Sequence, residues 1–335
     1  MRPTSTKSDC FVLRNSVSYS IQSQPDVKLY FQTAFFGLCK STCKSTLTYK
    51  TPFLIVNARE CEFSSYQEAD DVLEIKDAVA VITGGAGGIG LEIAKYWVRN
   101  GGKVVIADIA QNLLDQAEAE LTAMGGEVAT VVCNVTKEED NAKLADRAIE
   151  KFGRINLIAP FAGIIKDGMM VVPEKETGKV VRKMSLDQFQ QVIDINLTGV
   201  FLTVRECVER MINNNCKGLI CLVSSTGSLG TAGQINYSSS KAAISVMPKV
   251  ITAEFLRRGL SDKIRCVAVA PGYVGTAMVK GMDQKALQKI LSEVPIGRLI
   301  DPEEVASLIG ELYKNEALAG DVYFIHGGLR LGSRG

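Results

Sequence analysis

Histidine is nearly missing from this chain of 335 residues: His326 is the only one. One imidazole excludes most histidine-based catalytic schemes and nearly all histidine-rich metal sites. Its place in FIHGG, at the end of the last apolar run, predicts a structural or interface residue. The nine cysteines are scattered without a C-x-x-C pair, and no histidine stands near the closest two, Cys39 and Cys43. We therefore expect reduced thiols and no metal site.

The chain also lacks an excess of charge and any long apolar run. The formal net charge is +1, which gives no basic footprint for nucleic acid. No uninterrupted apolar stretch approaches the roughly 18 residues that span a bilayer. With 46% hydrophobic residues, the sequence predicts a soluble protein with one large core or two modest ones, and no nucleic-acid or membrane partner.

Acidic residues are scarce at the start of the chain. Before Glu60 the only ones are Asp9 and Asp26, among many Lys, Arg, Ser and Thr residues. We interpret residues 1–72 as an N-terminal extension, either a targeting segment or disordered chain with no role in the fold. The expected localisation is cytoplasmic, or the mitochondrial matrix if this extension is a transit peptide.

From residue 73 onward, short runs rich in Val, Ile and Ala alternate with longer helical stretches. Such runs are typical of strands buried on both faces, and the intervening helices imply right-handed crossovers. We predict a single α/β domain over 73–335, a Rossmann fold with a doubly wound parallel sheet of seven strands. Thr136 followed by Glu139 predicts a capping box. The runs are AVAVIT, KVVIAD, EVATVVCNV, INLIAPFAG, GLICLVSS, KIRCVAVAPG and DVYFIHGG.

The first run leads into a glycine-rich string, TGGAGGIG, at residues 83–90. Glycines between a strand and a helix let the backbone approach a pyrophosphate, whose charge then rests on the helix amides. The string fits three dinucleotide-binding spacings, so the class of binder stays open at this point. They are Gly85, Gly87 and Gly90 for G-x-G-x-x-G; Gly84, Gly87 and Gly90 for G-x-x-G-x-x-G; and Gly84, Gly88 and Gly90 for G-x-x-x-G-x-G.

Asp108 ends the second run, about twenty residues beyond the glycines. A carboxylate there can accept hydrogen bonds from the adenosine ribose, and it would repel a 2′-phosphate. Neither residues 84–90 nor those directly after Asp108 include a Lys or Arg that would offset the repulsion. We expect NAD (NADH), rather than NADP, as the cofactor.

In the stretch YSSSK, Tyr237 and Lys241 stand four residues apart, which places both side chains on one face of a helix. Hydride transfer between a carbinol and a nicotinamide leaves a proton to be moved on oxygen, and a phenol can carry it. The phenol has an unperturbed pKa of about 10, which a nearby ammonium lowers by favouring the phenolate. The spacing alone is common on surface helices.

Together with NV (Asn134–Val135), INLTG, VSSTG and PGYVGTAM, this stretch resembles the classical short-chain dehydrogenase/reductases of the 3-oxoacyl-acyl-carrier-protein reductase type. The resemblance covers about residues 73–335. It implies Tyr237 as acid/base, Lys241 as its tuner and Asn196 as the anchor of a water. It also implies Ser224 as the holder of the substrate oxygen, rather than Ser225, because Ser224 precedes Gly227 by three residues and Tyr237 by thirteen.

The resemblance also selects the G-x-x-x-G-x-G glycine set and implies a homotetramer or homodimer. The tetramer contacts would come from the helix over about 186–213 and the helix that follows Tyr237. The cofactor-binding residues that it implies are Gly84, Gly88, Ile89, Gly90, Asp108, Asn134, Val135, Ala162, Gly163, Tyr237, Lys241, Pro271, Gly272, Val274 and Thr276.

Three features depart from the family pattern. The usual Asn-Asn-Ala-Gly begins here with Pro160-Phe161, which removes side-chain hydrogen bonds and puts a proline in a central strand. Residues 166–185 form a longer segment than usual, which either reshapes substrate access or forms a solvated hairpin about Thr177 and Gly178. Of two basic residues that dock an acidic carrier protein, Arg258 is present, whereas the other position is Leu219.

We therefore expect an NAD(H)-dependent oxidoreductase that interconverts a secondary alcohol and a ketone. The leading hypothesis is a 3-oxoacyl (ACP or CoA) reductase or 3-hydroxyacyl dehydrogenase of fatty acid metabolism, and a steroid or a small alcohol stays open as the substrate. Two alternatives from other classes are a non-catalytic NAD-binding sensor and a sugar-nucleotide epimerase or dehydratase.

Overall fold

The computed structural model describes residues 49–50, 53–54, 73–280 and 284–329. The chain divides into two units, 1–66 and 67–335. In the first unit, strands β1 (Tyr49–Lys50) and β2 (Phe53–Leu54) form an antiparallel pair. The predictions of a targeting or disordered extension and of thiols at Cys39 and Cys43 fall outside the described residues.

Each of the seven apolar runs forms a strand. In chain order the strands of the second unit are β3 (Val79–Thr83), β4 (Lys103–Asp108), β5 (Val128–Val132), β6 (Leu157–Pro160), β7 (Val171–Pro173), β8 (Val180–Lys183), β9 (Gly218–Val223), β10 (Ile264–Pro271) and β11 (Val322–Ile325). All but β7 and β8 join one parallel sheet in the order β11-β10-β9-β6-β3-β4-β5. This confirms the predicted doubly wound α/β fold with seven strands.

Helices cover both faces of this sheet. Since successive residues of a strand point to opposite sides, each strand contributes side chains to the core on either face. The helices are α1 (Gly88–Arg99), α2 (Gln111–Ala123), α3 (Glu138–Phe152), α4 (Leu186–Ile193), α5 (Gly199–Asn213), α6 (Ile235–Arg258), α7 (Ala277–Lys280), α8 (Gln284–Glu293) and α9 (Pro302–Lys314). In β3, Ala80 and Ile82 pack into a core with α1, α2 and α9, whereas Val79 and Val81 pack into a second core with α3, α5 and α6.

The capping box predicted from Thr136 and Glu139 is wrong. Helix α3 has Lys137 at its N-cap position and no side-chain cap. The Thr136 hydroxyl instead donates to Asn134 Oδ1 at 2.8 Å, within a turn closed by that asparagine. A short polar side chain can compete for the groups that would cap a helix, and Asn134 does so here.

The segment over 166–185 forms the hairpin that was one of two predicted outcomes. Strands β7 and β8 pair antiparallel, and Gly178 in the turn has a φ of +67°, which favours glycine. The residues of β8 are exposed, including Val180 and Val181. A role of this hairpin in substrate access stays a prediction.

Within the described part of the second unit, no helix has the length and apolar character needed to cross a membrane. The same residues bring together no group of three His, Cys, Asp or Glu side chains that could hold a metal ion. Five cysteines lie in this part, and all are buried free thiols: Cys133, Cys207, Cys216, Cys221 and Cys266.

Candidate active site and dinucleotide cleft

The predicted site residues gather at the carboxyl edge of the sheet, where the chain order reverses between β3 and β6. Strand β3 continues to β4 on one side, whereas β6 pairs with β3 on the other. The loops after these two strands touch: a Cβ built on Gly84 would lie 2.9 Å from Ala162 N. Such a switch point is where open α/β sheets bind ligands.

The backbone geometry selects one glycine set from the three that the sequence left open. Gly84 and Gly88 have φ values of +65° and +54°, in the left-handed region. A Cβ on Gly90 would lie 2.2 Å from Gly84 O, so only glycine fits there. Gly87 is extended, with a φ of −169°, and a Cβ on it would meet nothing within 4 Å. The protein's own conformation and packing therefore require Gly84, Gly88 and Gly90, and also Gly85, where a Cβ would lie 2.8 Å from Ile106 Cβ. They do not require glycine at Gly87, which both other spacings contain.

The start of α1 suits a pyrophosphate. Its N-cap is Gly87, which offers no side-chain acceptor, and its first turn has no acidic residue. The amides of this turn, which have no partner in an α-helix, thus remain available to an anion. Thr276 lies nearby, since its Cγ2 is 3.7 Å from the Cβ position of Gly88. The loop that follows Pro271 at the end of β10 and holds Gly272 and Val274 therefore returns to the glycine loop.

Asp108 ends β4 at the same edge of the sheet. Its Oδ1 accepts hydrogen bonds from the amides of Ile109 at 2.8 Å and of Ala110 at 3.3 Å. The two bonds fix the carboxylate, and its second oxygen remains as an acceptor for a ribose hydroxyl. The next residue, Ile109, is 69% exposed. Because its side chain is apolar, it offers no positive charge that would balance a 2′-phosphate.

Two further loops complete the predicted cleft. Asn134 follows β5, and its Oδ1 accepts from the Thr136 amide at 3.1 Å, which leaves Nδ2 as a donor. Val135 is buried. After β6, the Ala162 amide donates to Thr83 Oγ1 at 3.2 Å, which holds Ala162 and Gly163 beside the end of β3.

Proline at 160 is tolerated because the strand ladder has already opened there. Strand β6 pairs with β9 only through Leu157 and Ile158, so no donor is needed from Pro160 on that side. On the other side, the Phe161 amide donates to Thr83 O at 3.2 Å. The departure from the family's Asn-Asn therefore leaves the sheet intact.

Tyr237 meets Ser225, not Ser224. The Ser225 hydroxyl lies at the edge of the Tyr237 ring, since a Cβ built on Gly227 would lie 3.4 Å from Ser225 Oγ and 3.2 Å from Tyr237 Cε1. Ser225 Oγ also accepts from the Gly227 amide at 3.0 Å, which fixes its rotamer at the start of the turn Thr226–Leu229. The pKa of Tyr237 is raised by burial, lowered by its bond to Ser225 and raised by the charge of Asp167.

The role of Ser224 as the holder of the substrate oxygen stays a prediction, and its side chain makes other contacts in the structure. Ser224 Oγ donates to Lys241 O at 3.0 Å and lies 2.7 Å from Ser245 Oγ, so it is buried against α6. The alternation of a strand explains this orientation, since Ile220, Leu222 and then Ser224 face the core that includes α6.

Lys241 lies one helical turn from Tyr237, as predicted. Its Nζ is 5.7 Å from the centroid of the Tyr237 ring and donates to Val223 O at 2.9 Å. The lysine is buried, and burial lowers its pKa to about 8. A partly neutral amine near physiological pH can both accept and return a proton, which suits a proton path.

Asn196 interrupts the long helix, as the sequence indicated. It lies in a π-helical turn, Asp194–Thr198, between α4 and α5. Its Nδ2 donates to Ile164 O at 2.9 Å and its Oδ1 accepts from the Ile164 amide at 2.8 Å. The side chain thus binds the loop after β6. Turns of this kind are frequent at functional sites.

Three other predicted residues take no part in this cluster. Leu219 is fully buried within β9, a position that cannot contact a carrier protein, whereas Arg258 is exposed at the end of α6. His326 Nδ1 accepts from the Gly328 amide at 3.1 Å, and its ring packs on Phe324. The side chain of His326 therefore contacts the turn that follows β11.

Comparisons with known proteins agree with this arrangement. The family profile described as short chain dehydrogenase matches residues 78–287. A 3-oxoacyl-[acyl-carrier-protein] reductase of Thermotoga maritima is 33% identical over 259 residues, which cover 77% of this chain and 99% of that protein. A (3R)-3-hydroxyacyl-CoA dehydrogenase of Canis lupus familiaris is 28% identical over 268 residues, 77% of this chain and 98% of its own. A cis-4-hydroxycyclohexanecarboxylate dehydrogenase of Sinomonas cyclohexanicum is 32% identical over 254 residues, 75% of this chain and 96% of its own. The chain therefore belongs to the short-chain dehydrogenase/reductase family, in its 3-oxoacyl-[acyl-carrier-protein] reductase type, and is an oxidoreductase that binds a nicotinamide cofactor.

Proposed function

We propose that this enzyme uses NAD(H) to interconvert a secondary alcohol and a ketone, with a 3-oxoacyl thioester as the substrate that is reduced. The observation that carries the proposal is the placement of the Ser225 hydroxyl at the edge of the Tyr237 ring, with Lys241 Nζ 5.7 Å from the centroid of the same ring. Reduction requires a proton donor and a second hydrogen bond at the carbonyl oxygen, and these two hydroxyls supply both.

The roles of the residues follow from their contacts. When bound, NADH supplies the hydride that adds to the carbonyl carbon. Tyr237 gives its hydroxyl proton to the carbonyl oxygen, while Ser225 Oγ donates a hydrogen bond to the same oxygen. Lys241 then returns a proton to the phenolate, since its own pKa is near 8. Because burial raises the pKa of Tyr237, the resting phenol is protonated and ready to reduce a ketone.

The choice of NAD over NADP is supported by Asp108. Its carboxylate is fixed by two backbone amides, and the exposed neighbour Ile109 is neutral. A 2′-phosphate at this point would meet one negative charge without compensation.

A homotetramer or homodimer is also proposed. Large apolar side chains are exposed on α5 and α6: Phe201, Val246, Val250 and Leu256. Exposed apolar residues that share neighbouring helices are typical of an interface. Light scattering coupled to size-exclusion chromatography gives the mass directly, and a monomer at micromolar concentration would contradict this proposal.

The activity is tested by following NADH fluorescence across acetoacetyl thioesters, a steroid ketone and short ketones. The control is Tyr237→Phe, which keeps the ring and removes the proton. We expect at least one ketone to be turned over by the native enzyme and a loss of about 10²–10⁴-fold in kcat for the variant, the usual contribution of a general acid. Equal turnover by both proteins would remove Tyr237 from its role. NADH binding with no turnover of any ketone would favour the sensor hypothesis.

A further inference from the structure

A carboxylate and an amide, Asp167 and Gln234, form one edge of the site beside Tyr237. Nε2 of Gln234 donates to Asp167 Oδ2 at 2.8 Å, which turns the amide oxygen Oε1 the other way. A Cβ built on Gly227 would lie 3.4 Å from this Oε1, 3.4 Å from Ser225 Oγ and 3.2 Å from Tyr237 Cε1. The amide oxygen, the Ser225 hydroxyl and the edge of the Tyr237 ring therefore surround one point.

The backbone that carries Asp167 is anchored on both sides. Lys166 O accepts hydrogen bonds from the buried Asn236 Nδ2 at 2.9 Å and from Gln188 Nε2 at 3.1 Å. Gln188 Nε2 also donates to Asp167 O at 3.0 Å, and the Gly168 amide donates to Gly233 O at 2.7 Å. The backbone at Asp167 is thus fixed by the scaffold, and the carboxylate is held by its bond from Gln234 Nε2.

The Asp167 carboxylate and Gln234 Oε1 are hydrogen-bond acceptors, and no cation neutralises the carboxylate within the described part of the chain. Lys166, the nearest lysine in sequence, turns its Nζ to Gln191 Oε1 instead. Within the described part of the chain, Asp167 has no ion-pair partner, and no protein donor reaches Gln234 Oε1. The charge of Asp167 is felt at the reacting position, because it raises the pKa of Tyr237, although less than burial does.

We propose that Asp167 and Gln234 select thioesters against free 3-oxo acids. The carboxylate of a free acid would bring a second negative charge to this edge, which costs free energy. A thioester of the cysteamine-amide type is neutral at that point and has an amide N–H close behind the sulfur, which can donate to Gln234 Oε1. Coenzyme A and carrier-protein thioesters share this arm. The inference rests on the proposed function and names its substrate class.

The test compares acetoacetate with acetoacetyl-N-acetylcysteamine, each at saturating NADH. For the native enzyme, we expect the kcat/KM for the thioester to exceed that for the acid. Asp167→Asn should reduce the ratio of the two constants roughly tenfold, the scale of one charge acting near a protein surface. The ratio should also fall with added salt in the native enzyme and much less in the variant, because salt screens the repulsion.

The matched control is Asp187→Asn. Asp187 is exposed in the first turn of α4, and this variant removes the same charge without touching the edge. An equal change of the ratio in both variants, or no change in Asp167→Asn, would overturn the inference while thioester turnover persists. If the native enzyme reduces none of the ketones, the proposed function itself fails, and this outcome is distinct.

A second variant separates hydrogen bonding from charge. Gln234→Met keeps the length of the side chain and loses Oε1. We expect a larger rise in KM for the N-acetylcysteamine thioester than for methyl acetoacetate, which is neutral but has no N–H. An equal rise for both would contradict the role given to Oε1. A higher kcat/KM for acetoacetyl-CoA or for an acetoacetyl carrier protein than for acetoacetate supports the proposal, and the better of the two identifies the source.

Discussion

Lys241 and Val223 join the helix that bears Tyr237 to the last residue of a central strand, through a hydrogen bond of 2.9 Å from Nζ to the carbonyl oxygen. Both groups are buried. Ser224 and Ser225 directly follow Val223. The bond fixes the end of β9 against α6, and it thereby determines which of the two serines faces the phenol. The geometry of the site therefore depends on the register between β9 and α6.

Ser225→Ala should reduce kcat much more than Ser224→Ala does. Ser225 loses a hydrogen bond to the reacting oxygen, and the loss of one such donor costs about 10²–10³-fold in kcat. Ser224→Ala removes a buried bond to Lys241 O, so we expect a lower unfolding free energy, by about 1 kcal/mol, and a smaller effect on kcat. Steady-state kinetics and denaturant unfolding of both variants check this. A larger loss of kcat in Ser224→Ala would restore Ser224 as the oxygen holder.

The stability of the cofactor-free protein should rise with pH because of Lys241. Its pKa is 10.5 when free and about 8 in the folded state, where burial disfavours the charge. Below pH 8 the lysine is protonated in both states, and the folded state is destabilised by the full free energy of burying the ammonium. Between pH 8 and 10 the unfolded chain keeps the proton and the folded protein releases it, so folding gains up to about 3 kcal/mol.

This is measured as unfolding free energy at pH 7 to 10 for the native protein and for Lys241→Met. The difference between the two isolates the lysine from other titrating groups. We expect the unfolding free energy of Lys241→Met to exceed that of the native protein most at pH 7. The difference should shrink as pH rises. Parallel curves would contradict the buried, charged state of Lys241.

The sheet was predictable because its signal is local. Runs such as KVVIAD and GLICLV are long enough for a strand and too short for a helix, and their order with the helices specifies the topology. The spacing of Tyr237 and Lys241 likewise needs only the helical repeat. In contrast, the glycine spacings could be told apart only by backbone conformation, since Gly88 has a positive φ whereas Gly87 is extended.

The missed features share a physical cause. Whether Ser224 or Ser225 faces Tyr237 depends on where the strand ends and how long the turn is, and neither is encoded in spacing alone. The predicted capping box at Thr136 failed because the threonine hydroxyl donates to Asn134 Oδ1 instead of capping the helix. The pair of Asp167 and Gln234, 67 residues apart, had no local signal at all.

Gly90→Ala should destabilise the protein, whereas Gly87→Ala should not. A Cβ at 90 would stand 2.2 Å from a backbone oxygen, which cannot move without displacing the glycine loop. Overpacking of this kind costs about 1–3 kcal/mol. At Gly87 the backbone is extended and a Cβ finds open space. Thermal unfolding of the two cofactor-free variants gives the comparison, and similar Tm values would contradict the close approach of Gly90 to Gly84 O.

The cofactor preference should move toward NADPH in the double variant Asp108→Ala, Ile109→Arg. The change removes the repelling carboxylate, and it adds at an exposed position a guanidinium that can bind a 2′-phosphate. A hydrogen bond to a charged group contributes about 1.5–3 kcal/mol, so the ratio of kcat/KM for NADPH over NADH should rise roughly 10-fold to 100-fold. The control is Ile109→Arg alone, where the remaining Asp108 would pair with the new arginine and reduce the gain. A native enzyme that already prefers NADPH would refute the role given to Asp108.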